Sequence, residues 1–187
     1  MADDIPSLWR DINDLLWKKA PKRQKELQPG LPEGELEEIV KAFGRRLPKD
    51  YLVSIAIHDG NASLNEFTYL PLRSVLEIWE AMNESEAAGE FGERTIDAPE
   101  AKVVKPVWWH KGLIPFAQDG AGNLLCIDLD PGPKGSNGQI TRFERNMGPA
   151  ATEHRSFGGW LTAYRDAVRA GEFKIGRDQY LRDVGST

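Results

Sequence analysis

With 187 residues, 40% of them hydrophobic and 28% charged, the chain is long enough for one domain with a full hydrophobic core and a little short for two. The formal charge of -5 is uneven, and the acidic middle of the chain repels phosphate backbones, so duplex DNA or RNA is not expected to bind there; no apolar run approaches the roughly 20 residues of a bilayer crossing. The acidic N-terminus has no basic and then apolar leader, so a cytoplasmic protein is expected, and the lone Cys126 allows no internal disulfide.

Ser7 is a candidate N-cap for a first helix with Leu8, Ile12, Leu15 and Leu16 on one face, Trp9 at its shoulder and Pro21 at its end. The basic run KKAPKRQK, Lys18 to Lys25, reads as a solvated helix end and linker within residues 1–30. In LPEGELEEIVKAFG, the acids Glu33, Glu35 and Glu37 suit a helix start. Leu36, Ile39, Val40 and Phe43 form its apolar stripe, and Gly44 a natural stop. LPKDYLVSIAIHDGN has β-branched residues that suit a strand, but Pro48 and the turn dipeptide Asp59-Gly60 favour a short buried helix. FTYLPL is a strand broken by Pro71, followed by a helix with Val75, Leu76, Trp79 and Met82 inward and then a polar loop from Gly89 to Lys105 with a short extended piece.

Leu113–Ala117, Asn123–Asp130 and Gln139–Glu144 are three short strands with Gly-rich connections, the mark of antiparallel hairpins. A last helix runs from an N-cap at Ser156 to Gly171 with Phe157, Trp160, Leu161, Tyr164 and Val168 on one face; beyond Ile175 the polar tail, 176–187, is expected to fray. The predicted class is therefore α+β, a single domain with helices packed around a central, mostly antiparallel sheet.

The stretch IPFAQDGAGNLLCIDLDPGPKG concentrates Asp, Gly and Pro and invites a test for chemistry. As a calcium loop opened by Asp128 it fails, with Pro133 where the turn Gly belongs and Gln139 where the bidentate acid belongs; the register from Asp119 fails at Leu124. Gly120 and Gly122 lack the third Gly of a dinucleotide loop, Leu125 standing in its place, and the residues after it read as strand rather than helix. KGSNG lacks the Gly two residues before Ser136 that a nucleophile elbow requires, and His58, His110 and His154 have no metal-ligand spacing. An acid-base role for Asp119, Asp128 and Asp130 is outweighed by a simpler one. Asp119-Gly120 turns a hairpin, and Asp128 and Asp130 occupy the polar face of a strand opposite Leu125, Ile127 and Leu129. No catalytic residue, metal or cofactor is expected, and Cys126 reads as a small buried hydrophobe.

The succession of LPKDYL, HDG, IPFAQDGAGNLLCIDLDPGP and SFGGWLTAYRDAVRAG resembles the Smi/Knr-like branch of the SUKH superfamily over residues 31–175. The resemblance implies a non-enzymatic protein-binding domain. The bacterial relatives are immunity proteins that neutralise a toxin, often a nuclease; the alternative is a regulatory scaffold for an endogenous partner, like the fungal relative in cell-wall assembly. Residues 61–133 hold 5 Lys plus Arg against 12 Asp plus Glu, so a partner with a basic surface is expected, such as a toxin domain. The candidate contacts are Asp119, Asp128 and Asp130, with Trp108 and Trp109 as aromatic anchors, although a Trp pair at the start of a sheet more often belongs to the core.

Overall fold

The computed structural model describes residues 4–96 and 102–183. In chain order the elements are α1 (Ile5–Lys19), α2 (Pro21–Gln24), α3 (Glu33–Ala42), α4 (Lys49–Ile57), β1 (Ala62–Ser63), β2 (Thr68–Tyr69), α5 (Leu72–Ala87), β3 (Leu113–Gln118), β4 (Leu124–Asp128), β5 (Gln139–Glu144), β6 (Gly148–Ala151), α6 (Phe157–Ala170), β7 (Phe173–Ile175) and β8 (Leu181–Asp183). The chain divides into two compact units, one of residues up to Leu72 and from Gly158 onward, the other Arg73–Phe157. The class is α+β as the sequence predicts, and each strand pairing within a unit is antiparallel. No described helix is long and apolar enough to cross a membrane.

In the first unit α1 buries Leu8, Trp9, Ile12 and Leu16, a stripe at helical spacing. Trp9 is therefore core rather than shoulder, with an indole Nε1–H that donates to Ser54 Oγ at 2.7 Å in α4. Asp4, not Ser7, caps this helix: its carboxylate accepts the Ser7 amide at 2.7 Å, and Pro6 falls in the first turn, where its missing N–H costs nothing. α4 is the helix that the turn signals favoured. It ends at Ile57 with His58 as its C-cap, and the chain then turns at Gly60, whose φ of +63° and close approach to the Leu70 carbonyl exclude any side chain. In α6 the five apolar residues named from the sequence are all buried, but the amide of Gly158 donates its hydrogen bond to Asp50 Oδ2 at 2.8 Å, far away in the chain.

Two expectations about the chain ends are corrected. The tail does not fray at Ile175, because β7 and β8 pair through Ile175↔Leu181 and bury Leu181. The basic run is not simply solvated: Lys19 Nζ donates to the carbonyls of Val168 and Arg169 at 2.5 and 3.2 Å, in the last turn of α6, where a cation suits the helix pole. Arg23 is buried beneath Tyr180, 4.0 Å from the ring centroid, and pairs with Glu26 at 2.7 Å.

In the second unit β3, β4, β5 and β6 follow one another as an antiparallel meander. Pro115 can donate nothing to the ladder, and the register slips beside it, between Pro115 and Ala117, leaving Phe116 as the bulged and fully buried residue. The expected alternation of β4 is absent: all five of its residues, Leu124–Asp128, are buried, as in a central strand covered on both faces. β6 has no apolar run to announce it and was not expected; it pairs through Phe143↔Pro149 and Thr141↔Ala151. Part of the stretch expected to be extended between Gly89 and Lys105 lies outside the described residues.

Candidate functional site

The Asp119 carboxylate folds the β3–β4 turn around itself. Oδ1 accepts the amides of Ala121 and Asn123 at 2.8 Å each, and Oδ2 accepts Asn123 Nδ2 at 2.7 Å. Partial burial opposes its charge, but the hydrogen bonds from Asn123 and Ala121 outweigh that and hold the carboxyl below its usual range. Gly122, at φ +89°, supplies the left-handed step of the turn. This is the structural role that the sequence favoured.

Asp128 closes the other end of β4, and its placement corrects the expectation of a solvent-facing strand residue, because its exposure is 0%. Oδ1 accepts the Asp130 amide at 3.0 Å and Oδ2 accepts Gln139 Nε2 at 3.3 Å, while the Asp128 carbonyl takes the Gly138 amide at 2.7 Å. Gln139 then reaches the Ser136 amide at 2.9 Å and the Val103 carbonyl at 3.0 Å. His110 Nδ1 accepts the Gly112 amide at 3.1 Å, so Nε2 carries the hydrogen and faces Asp128 Oδ1 at 3.8 Å. Burial pushes the Asp128 carboxyl up to about 6 despite these donors. The side chain is an internal tie for the loop 129–138, with Asp130 exposed and ion-paired to Lys105.

The three aspartates do not converge. Asp119 and Asp128 stand at opposite ends of β4, on the order of 15 Å apart at about 3.3 Å per residue. Trp108 and Trp109 are 8% and 1% exposed, so they are not ready anchors for a partner. Both meet Phe143 edge to face, with centroids at 6.4 and 5.5 Å, and the Trp109 indole donates to Asn83 Oδ1 at 3.0 Å. Cys126 is fully buried, and burial raises its thiol well above the ordinary value, as an inert core residue requires.

The surface feature that sequence reasoning counted without locating is on α5. Glu77, Glu80 and Glu84 recur at helical spacing and are all exposed, and Glu86, Glu90 and Glu93 continue the acidic run. The signal was present in the residues: from Ser74 to Glu93 there is no Lys or Arg. Glu80 and Glu84 repel one another at i, i+4, and the last turn of α5 holds acids where its dipole favours bases. Each unfavourable pair costs the helix about 0.2–0.5 kcal/mol. A row of carboxylates that does not stabilise its own helix is instead suited to recognising cations outside it.

Comparison with known proteins gives a family match for most of the chain. Residues 30–163 match the model of the SMI1 / KNR4 family (SUKH-1). The chain is 24% identical to a glucan synthesis regulatory protein of Neurospora crassa over 93% of its length, and 28% identical to the cell wall biosynthesis/cell cycle regulator smi1 of Schizosaccharomyces pombe over 93%. It is also 26% identical, over 96%, to mouse F-box only protein 3. The chain spans 40%, 38% and 37% of these three proteins in turn.

Proposed function

Because the chain belongs to the SMI1/KNR4 family (SUKH-1), we propose that it is a regulatory protein-binding domain that acts by docking and performs no catalysis of its own. The names of the fungal relatives support a regulator of an endogenous process, such as cell-wall synthesis, over neutralisation of a toxin. The mouse relative, whose name concerns no cell wall, favours a module used in several settings. The observation that carries the docking surface is the exposed acidic row of Glu77, Glu80 and Glu84 on α5, and the partner is a protein with a basic face. Of the residues singled out from the sequence, Asp130 is exposed, and Asp119 is committed to its own turn. Asp128, Trp108 and Trp109 support the fold from below the surface.

The test is capture of partners from a lysate of the source cell by wild type and by the triple variant Glu77→Gln, Glu80→Gln, Glu84→Gln, at about 50 and about 200 mM salt, which span the range over which surface charges become screened. A protein retained by wild type at low salt, and lost both in the variant and at higher salt, is expected. Identical captures by the two proteins would remove α5 from the interface.

A further inference from the structure

The second unit contains a pocket whose charge runs against its surroundings. Residues 73–157 hold 9 Lys plus Arg against 13 Asp plus Glu, yet the pocket of about 260 Å³ bounded by the 129–138 loop and the segment after β6 is lined by Lys134, Arg155 and His154, with Glu153 as its one acid. Glu153 is largely solvated, 84% exposed, and lies 3.6 Å from His154 Nε2. Lys134 makes no ion pair among the described residues.

The backbone of the walls is tied by hydrogen bonds. The Lys134 amide donates to the Lys102 carbonyl at 2.6 Å, the Gly132 amide to the Val103 carbonyl at 3.0 Å, and Asn137 Nδ2 to the Leu129 carbonyl at 2.7 Å. At Gly135 a Cβ would lie 2.2 Å from the Val103 carbonyl oxygen, so only glycine permits the loop to close this tightly. Arg155 Nη1 donates to Ser136 Oγ at 3.1 Å, which ties the guanidinium to the loop that carries Lys134. On the opposite wall Thr152 Oγ1 is fixed between the Ile140 carbonyl at 2.6 Å and the His154 amide at 3.2 Å. The loop backbone thus sets Lys134, and the Ser136 bond sets Arg155, beside a cavity large enough for a tetrahedral anion.

We propose that this pocket binds a phosphomonoester, with Lys134 and Arg155 on the phosphoryl oxygens. Two permanent cations match a group carrying about -1.5 to -2 charges and three acceptor oxygens better than they match a singly charged carboxylate. Phosphate on a partner's side chain and phosphate on a free small molecule share this chemistry. The site is separate from the acidic row on α5 and stands or falls without it.

The experiment is a titration of isotopically labelled full chain, followed by amide chemical shifts, with inorganic phosphate, with sodium chloride at matched ionic strength, and with a phosphoserine tripeptide. Phosphate is expected to shift the amides of Ser136 and of Thr152 to Arg155 saturably, and chloride is not. Lys134→Ala and Arg155→Gln, both at exposed positions, should each weaken the binding by about tenfold or more while the melting temperature is kept, the size of a lost charge-assisted contact. Tighter binding of the tripeptide would support the assignment and identify a phosphorylated protein segment as the source; equal binding would support it and identify a free phosphate compound. Shifts that match those of chloride, or affinity unchanged in both variants, would overturn the assignment. Neither result bears on capture by α5, which reads the docking function separately.

Discussion

The two units tie their polar groups in different ways. In the second, the partners at the two ends of β4 are close in sequence, Asp119 binding Asn123 and Asp128 the Asp130 amide and Gln139, the meander pairs consecutive strands, and a few longer ties such as Trp109 to Asn83 and Gln139 to Val103 add to them. In the first, they come from far apart. Trp9 meets Ser54, Lys22 meets Gln179, Lys19 meets Val168, and Asp50 meets Gly158. Ser54 in turn touches the buried Tyr69 hydroxyl at 3.1 Å, so one hydroxyl links three elements. Local ties build rigid loops that can present side chains, whereas distant ties hold the two ends of the chain in one core.

The largest expected effect breaks the distant network. Trp9→Ala should cost about 3–5 kcal/mol, the range for emptying a buried Trp site, read as a shift of the urea midpoint. A loss below about 1 kcal/mol would mean that the N-terminal helix is not part of the first unit's core.

The next effect probes the local network through pH. The folded Asp128 carboxyl titrates near 6 and the unfolded one near 3.9, so the folded state holds this proton more firmly between those values. Its contribution to stability is full below about 4 and is lost as pH rises through about 6. Relative to Asp128→Asn, wild type should therefore gain about 2 kcal/mol between pH 7 and pH 4, and parallel pH profiles for the two proteins would contradict the placement of this group. Asp119→Ala should cost about 1 kcal/mol, since its hydrogen bonds are half exposed, and calorimetry of the two proteins checks it.

The smallest effect has the opposite sign. Glu84→Gln should stabilise the protein by about 0.3 kcal/mol by relieving repulsion from Glu80 and the helix pole. Thermal melts at low salt measure it, and a destabilised variant would show that the carboxylate has a structural partner.

The same contrast explains what the residues disclosed. β3, β4 and β5, the Asp119 turn, the turn at Gly60 and the buried face of α6 were legible because each is announced by a short pattern with a local cause. The β7–β8 hairpin was not, because its polar sequence is held by Lys22 and Arg23 from the other end of the chain. Asp128 was misplaced because alternation predicts a strand with one wet face, and β4 has none. Of the candidate site, the residue types were read but their depth was not: Trp108 and Trp109 are core, while the acidic surface belongs to a helix noticed for its apolar side.

Docking through the acidic row of α5 is the central claim, and the most direct measurement is the association rate of a captured partner as a function of ionic strength. For wild type the rate should fall steeply as salt rises. For Glu77→Gln, Glu80→Gln, Glu84→Gln it should be lower at low salt and nearly flat, with dissociation little changed. Equal rates and equal salt slopes for the two proteins would contradict the claim that this face guides the partner in.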